Sequence, residues 1–248
     1  MTSPPRAQYL VFTDLDGSLL DHHSYSYLDA QPQLHHLEHR GIPVIPASSK
    51  TRAEIEKLRN AMRNRDPFIA ENGAAVFIPA GYFPQKPPGT VDRDGYWVHE
   101  MSIPRSRALQ WLEELHARFP DEIDWFARAG TEGIVRMTNL PEADARLANR
   151  REYSEPVLWT GEAGRKAEFI ASLEALGATV LQGGRFLGVG GDCDKGRALL
   201  WLREVFRVQQ PDLPCHDIAI GDSGNDGAML EAAETALLIR SSVHDFPT

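Results

Sequence analysis

Phe12-Thr13-Asp14-Leu15-Asp16-Gly17-Ser18-Leu19-Leu20-Asp21 decides how the chain reads. The apolar run ahead of it, Tyr9 to Phe12, predicts a buried strand. Two carboxylates separated by one residue close that strand, and Gly17 comes next with backbone freedom other residues lack. A strand ending in Asp-x-Asp-Gly makes a hard, oxygen-rich corner of the kind Mg²⁺ prefers. Alone the pair is weak evidence. Its weight comes from matching segments further along the chain.

Downstream, Asp29 to Arg40 predicts a helix with Leu34 and Leu37 on one face and Gly41 as its stop. Ile42 to Ala47 reads as a second strand and ends in Ser48-Ser49-Lys50-Thr51. Thr51 with Glu54 forms a capping box that opens a helix to about Arg63. Phe68 to Ala70 is a third short strand, ending in Glu71-Asn72-Gly73, and Ala74 to Ile78 pairs with it. Strand and helix in alternation imply a parallel sheet with right-handed crossovers. In such sheets the ligand crevice lies outside the carboxyl ends of the strands. Asp14, Ser48 and Asn72 each come just after a strand and are therefore expected in one crevice.

The stretch Pro79 to Gly89 has linker composition, with four prolines and two glycines. A second module begins there, with a strand over Gly95 to Met101 and a helix over Arg105 to Phe119 carrying Ala108, Trp111, Leu112, Leu115 and Phe119 on one stripe. Further strands are expected at Glu122 to Phe126 and Tyr153 to Thr160, and helices at Pro141 to Arg151 and Arg165 to Leu176. Ala178 to Gln182 and Arg185 to Val189 read as a hairpin about Gly183-Gly184. Strands and helices mixed without strict alternation describe an α+β cap. Asp194-Lys195-Gly196 then opens a helix through Phe206, and the strand Asp217 to Ile220 ends in Gly221-Asp222-Ser223-Gly224-Asn225-Asp226-Gly227. A short helix, Ala228 to Ala233, and a strand, Ala236 to Ile239, complete the first domain. The expected organisation is a Rossmann-like α/β core over 1–84 and 191–248, with a cap inserted at 85–190.

The chain has 248 residues and a formal net charge of −9 without a long basic run, which argues against nucleic acid or an anionic membrane as partner. Cys193 and Cys215 belong to no CxxC and no zinc-ligand spacing, so free thiols in a reducing compartment are expected. Met1 to Gln8 lacks a signal-peptide apolar region, and no run approaches the roughly 18 apolar residues of a membrane span. The cytoplasm is the expected location. The adjacent His22 and His23 have no ligand set beside them and read as loop residues.

Three carboxylates brought to one crevice repel unless a cation neutralises them, and their oxygens suit Mg²⁺. A lysine and a serine hydroxyl opposite them suit phosphate oxygens. One aspartate is placed to attack phosphorus, and a second, two residues on, to protonate the leaving alcohol. Gly191 to Gly196 is not a P-loop, because Lys-Gly stands where Gly-Lys-Ser/Thr is required.

Asp14-Leu15-Asp16-Gly17-Ser18-Leu19-Leu20, Ser48, Lys195 and Gly221-Asp222-Ser223-Gly224-Asn225-Asp226 resemble the four motifs of the haloacid dehalogenase-like phosphatases. The resemblance implies Asp14 as nucleophile, Asp16 as acid and base, and Ser48 and Lys195 as phosphate ligands. It implies Mg²⁺ held by Asp14, the Asp16 carbonyl and Asp222, with Asn225 and Asp226 in support, and a cap of the C2 type. Asp21 to Tyr27, Ser48-Ser49-Lys50-Thr51, Ala70-Glu71-Asn72-Gly73-Ala74 and Gln182 to Phe186 further resemble the mannosyl-3-phosphoglycerate phosphatase branch. That resemblance implies conversion of 2-O-mannosyl-3-phosphoglycerate to mannosylglycerate, a compatible solute, with Ser49, Lys50, Asn72 and Gly73 near the substrate. A broader sugar-phosphate phosphatase or phosphomutase on the same core is the alternative within enzymes; a non-catalytic sugar-phosphate sensor is the alternative outside them. Recognition beyond the phosphate needs other groups. Arg185 is the expected partner of the glycerate carboxylate, and Glu152 and Glu155 are the expected acceptors for sugar hydroxyls. The oligomeric state is not legible.

Overall fold

The computed structural model describes residues 7–22, 24–183 and 185–240. His23 of the paired histidines, Gly184 of the expected turn and the segments 1–6 and 241–248 lie outside the described residues.

In chain order the elements are β1 (Gln8–Thr13), α1 (Gln31–His39), β2 (Val44–Pro46), α2 (Arg52–Met62), β3 (Phe68–Ala70), β4 (Ala75–Pro79), β5 (Val91–Arg93) and β6 (Tyr96–Glu100). Next come α3 (Arg105–His116), β7 (Ile123–Trp125), α4 (Phe126–Thr138), α5 (Glu142–Ala148), β8 (Glu155–Trp159), α6 (Ala163–Ala175), β9 (Thr179–Gln182) and β10 (Phe186–Gly190). The chain closes with α7 (Lys195–Gln209), β11 (Cys215–Gly221), α8 (Gly227–Ala232) and β12 (Thr235–Leu238). The chain divides into two compact units, one of residues 1–49, 57–100 and 194–248, the other of 50–56 and 101–193.

The first unit is built on a parallel sheet ordered β12-β11-β1-β2. β1 lies inside it, paired with β11 through Thr13↔Ile220 and with β2 through Thr13↔Pro46. A strand flanked on both sides and covered on both faces should be apolar throughout, and Leu10 to Thr13 are all buried. The third strand keeps the expected parallel sense beside β2 and the expected pairing with the strand after it, but its contact with the first sheet is slight. β3 touches the first sheet through the single bridge Ala47↔Ile69 and otherwise pairs antiparallel with β4, in a sheet ordered β3-β4-β6-β5. Phe68 and Phe77 stack across that pair with ring centres 4.9 Å apart, and Tyr96 of β6 meets both edge-on.

That sheet also moves the boundary. β5 and β6 pair with each other and β6 pairs with β4, so residues 85–100 belong to the first unit and the expected division at 84/85 falls inside it. The prolines and glycines of 79–89 shape a connection within one sheet, not a linker between units. The return to the first unit comes at Asp194 instead of 191.

The second unit carries an antiparallel sheet ordered β7-β8-β10-β9. The stripe expected on α3 is its buried face: Ala108, Trp111, Leu112 and Leu115 join Phe119, Trp125, Val157, Phe169 and Leu173 in one cluster. α4 is not legible in the periodicity; it breaks at Gly130, where φ is 63° and ψ −175°. The Thr51–Glu54 capping box forms as expected: the Thr51 N–H donates to Glu54 Oε2 at 2.8 Å and the Glu54 N–H to Thr51 Oγ1 at 3.1 Å. The hairpin also forms, with Gln182 opposite Leu187. α1 differs in burying none of its residues fully, so Leu34 and Leu37 are only half-covered. Among the described residues no helix is long and apolar enough to cross a membrane.

Arg105 ties the second unit together. Its Nε donates to Glu155 Oε2, Nη1 to the Asn149 carbonyl at 2.7 Å and Nη2 to Asn149 Oδ1 at 2.9 Å. Glu155 Oε1 accepts the Ala127 N–H at 2.7 Å. Glu155 is fully buried, so loss of its partner would strand a charge. Arg105→Ala should cost about 3–5 kcal/mol of stability, read by urea titration; an unfolding midpoint equal to wild type would show that the pair carries no structural burden.

Candidate active site

β1 delivers Asp14 to the carboxyl end of the sheet, where the Asp14 N–H donates to the Ile220 carbonyl at 2.8 Å. Neighbouring strand ends are stitched together the same way. The Ala47 N–H donates to the Thr13 carbonyl at 2.8 Å, the Ser48 N–H to Ile69 at 3.0 Å and the Asn72 N–H to Ser48 at 2.9 Å. Asp14, Ser48 and Asn72 thus stand side by side, as strand ends in this class of sheet should.

α7 supplies the cation. Asp194 caps the helix by accepting the Arg197 N–H at 2.7 Å, which sets Lys195 at the first position. Lys195 is 0% exposed, and its Nζ donates to Asp14 Oδ1 and to Asp226 Oδ1, both at 2.6 Å. Burial works against its charge, yet Asp14 and Asp226 outweigh that effect and hold its pKa above the ordinary lysine value. Asp14 is shifted up to about 6, first by burial and further by Asp226 and Asp16, with Lys195 opposing.

The loop after β11 completes the cluster. Asp226 Oδ2 accepts the N–H groups of Asp222 and Ser223, each at 3.1 Å. With Oδ1 on Lys195, both of its oxygens are engaged, so Asp226 braces the cluster. Asn225 Nδ2 donates to Asn72 Oδ1 at 3.1 Å, and Ser223 Oγ to Asn225 Oδ1 at 2.5 Å. Asn225 and Asn72 therefore link the two loops to each other. Asp14, Asp222 and Asp226 each bring a carboxylate oxygen within 4.8 Å of the others. Three buried carboxylates this close together offer the hard oxygen donors that a divalent cation takes. Gly17 has a steric reason for its identity here: at φ 83°, a Cβ on it would lie 2.3 Å from Asp222 Oδ2.

Asp16 and Asn72 are half-buried and Ser48 is buried, all in the first unit with the cluster. Ser49 and Lys50 continue the loop ahead of α2 and are half-buried; Lys50 belongs to the second unit. Glu152, Glu155 and Arg185 also belong to the second unit. Glu155, expected to accept from sugar hydroxyls, is 0% exposed with both oxygens occupied, so it is a structural anion. Glu152 Oε1 accepts from Arg52 Nε at 2.8 Å. Arg185 donates through Nη1 to the Met137 carbonyl. Sequence reasoning missed Arg105, whose partners lie 44 and 50 residues away.

A profile of haloacid dehalogenase-like hydrolases matches residues 11–84. A glucosyl-3-phosphoglycerate/mannosyl-3-phosphoglycerate phosphatase of Methanococcoides burtonii is 36% identical over 233 residues, covering 94% of this chain and 85% of that protein. A mannosyl-3-phosphoglycerate phosphatase of Pyrococcus furiosus is 35% identical over 238 residues, covering 95% and 93%. A solved haloacid dehalogenase-like hydrolase of Bacteroides thetaiotaomicron shares the fold, with a TM-score of 0.64 at 18% identity over 91% of this chain and 86% of that one. The chain belongs to the haloacid dehalogenase-like hydrolases. Within them it is similar over most of its length to glycosyl-3-phosphoglycerate phosphatases.

Gly73 is the backbone joint of this site. Its φ is 93°, and a Cβ there would lie 2.1 Å from the Asp194 carbonyl oxygen and 2.8 Å from the Lys195 nitrogen. Gly73→Ala combines a strained backbone with a clash against the start of α7. It should lower the melting temperature by several degrees, the scale of about 1–3 kcal/mol; an unchanged melt would mean that α7 can shift freely.

Proposed function

We propose that the protein is a Mg²⁺-dependent phosphatase that hydrolyses 2-O-mannosyl-3-phosphoglycerate to mannosylglycerate and phosphate in the cytoplasm. The observation that carries this reading is the buried cluster of Asp14, Lys195, Asp222 and Asp226 in a chain 36% identical to phosphatases of that substrate class. The names of two relatives include the glucosyl ester, so glucosyl-3-phosphoglycerate is the second substrate to assay. Buried thiols at Cys193 and Cys215 agree with a reducing compartment.

In the reaction as proposed, an Asp14 carboxylate oxygen attacks phosphorus and the phosphorus–ester oxygen bond breaks. Asp16 gives a proton to the departing glycerate oxygen. Water then attacks the aspartyl-phosphate, Asp16 takes its proton, and the phosphorus–Asp14 bond breaks to release phosphate. Ser48 and Lys195 bind the non-bridging oxygens, and Lys195 neutralises the charge that develops on them. Asp14, the Asp16 carbonyl and Asp222 would hold Mg²⁺, which supplies charge neutralisation for the phosphoryl group. Asp226 and Asn225 keep Lys195 and the Asp222 loop in register. Ser49, Asn72 and Gly73 of the first unit are proposed to contact the substrate beyond its phosphate, and Lys50, Glu152 and Arg185 are the candidates that the second unit offers.

Asp14→Asn preserves shape and removes the attacking charge. Turnover should fall below detection while substrate still binds, and EDTA should silence the wild type until Mg²⁺ is restored. Phosphate release from chelated enzyme, or accumulation of an isomerised ester, would replace this reading with another. Arg185 provides a sharper test of the substrate. Arg185→Ala should lower kcat/KM for mannosyl-3-phosphoglycerate by roughly 1.5–3 kcal/mol and spare p-nitrophenyl phosphate, which has no carboxylate. Equal losses on both would assign Arg185 to the hairpin's architecture.

A further inference from the structure

A cleft of about 790 Å³ opens in the first unit at the C-terminal end of α2, lined by Arg59, Arg63, Asn64, Arg65, Asp94 and Tyr96 among others. None of these residues takes part in the proposed reaction. Three guanidinium groups within seven residues stand out in a chain of net charge −9.

The floor of the cleft is preorganised. Arg59 is 5% exposed, with Nε on Asn64 Oδ1 at 3.1 Å, Nη1 on the Tyr96 hydroxyl at 3.4 Å and Nη2 on the Asp66 carbonyl. Its guanidinium lies 4.6 Å from the centre of the Phe68 ring. Asn64 is anchored in turn: its Nδ2 donates to the Val44 carbonyl at 2.8 Å, and its Oδ1 also accepts the Asp66 N–H at 3.2 Å. The residues on either side of this anchor are Arg63 and Arg65. Both are exposed, and neither guanidinium has a hydrogen-bond or ion-pair partner among the described residues. Arg63 has φ 59°, a left-handed helix-end position that ordinarily falls to glycine or asparagine. The backbone that carries this long cation is pinned by Asn64, and the guanidinium itself stands in solvent. Asp94 stands on the β5–β6 turn at φ 49° as the cleft's acidic group.

We infer that this cleft is a second, non-catalytic binding site for a phosphorylated polyol or sugar. Guanidinium forks match phosphate oxygens in two-pronged geometry, and a single carboxylate beside them suits ligand hydroxyls. Its size fits a small ligand bearing one phosphate. The inference does not depend on the proposed reaction.

Inorganic phosphate is the probe, titrated calorimetrically into the full chain in EDTA, so that no turnover contributes heat. Wild type should bind phosphate at this cleft. Arg63→Gln/Arg65→Gln, both exposed, should weaken that binding at least tenfold while leaving the phosphate-free melting temperature unchanged. A control, Arg146→Gln/Arg207→Gln, removes equal charge elsewhere and should leave the isotherm as in wild type. Two results would overturn the proposal. One is an isotherm for the cleft variant identical to wild type. The other is equal weakening in the control, which would reduce the effect to net charge.

Discussion

A fully buried ammonium sets the terms for the rest of the core. Taking an ion out of water costs several kcal/mol even after relaxation, and the cost is recovered only where partners are close and well aligned. Lys195 has two such partners, Asp14 and Asp226, each at 2.6 Å. Those two bonds couple the end of β1, the start of α7 and the loop after β11. Asp226 cannot move to engage another ligand, because its second oxygen holds the N–H groups of Asp222 and Ser223. A single aspartate thereby fixes the lysine and the loop that carries Asp222.

The same arrangement compensates the charge of Asp14 only in part. Burial raises the pKa of Asp14 to about 6 although Lys195 is in contact with it, because Asp226 and Asp16 push in the same direction as burial. One ammonium shared between two carboxylates is an incomplete counterion for each. A cation beside Asp14 and Asp222 would favour the charged, nucleophilic form of Asp14. It would also offset the repulsion that a phosphate dianion meets on approaching a chain of net charge −9.

Much of this is legible in the sequence, for physical reasons that also explain the failures. β1, β11 and α7 declare themselves through continuous apolar runs and a capping aspartate, and the residues at their ends form the buried cluster. Strand ends converge by topology, so Asp14, Ser48 and Asn72 can be grouped without any distance. Pairing partners are less visible. Nothing in Phe68 to Ala70 announces that β3 meets β2 through one bridge, or that its sheet continues through β4 into β6 and β5. Proline-rich composition at 79–89 marks turns, and turns occur within a sheet as readily as between units. α4 is hidden because Gly130 breaks its helical period with a φ of 63°. Glu155 reads as an acceptor for sugar hydroxyls because a carboxylate's burial depends on a partner, and Arg105 is 50 residues away.

The turn at Glu71-Asn72-Gly73 shows how local strain and the buried charge belong together. Three successive residues there have positive φ, at 49°, 60° and 93°. For a residue such as Glu71 the left-handed region costs roughly 1–2 kcal/mol, so the turn persists only where its surroundings overdetermine it. They do so from two sides. The Asn72 N–H is held by the Ser48 carbonyl and its side chain by Asn225, so the turn is anchored to the end of β2 and to the loop after β11 at once. Gly73 then lies against the Asp194 carbonyl, where no side chain fits. A relaxed turn would swing Gly73 away and leave the start of α7 without its backing. Lys195 is the first residue of that helix, and a shift of its backbone would lengthen both 2.6 Å contacts on which its burial depends. The strain at residues 71–73 is therefore offset by the same ion cluster that it helps to align.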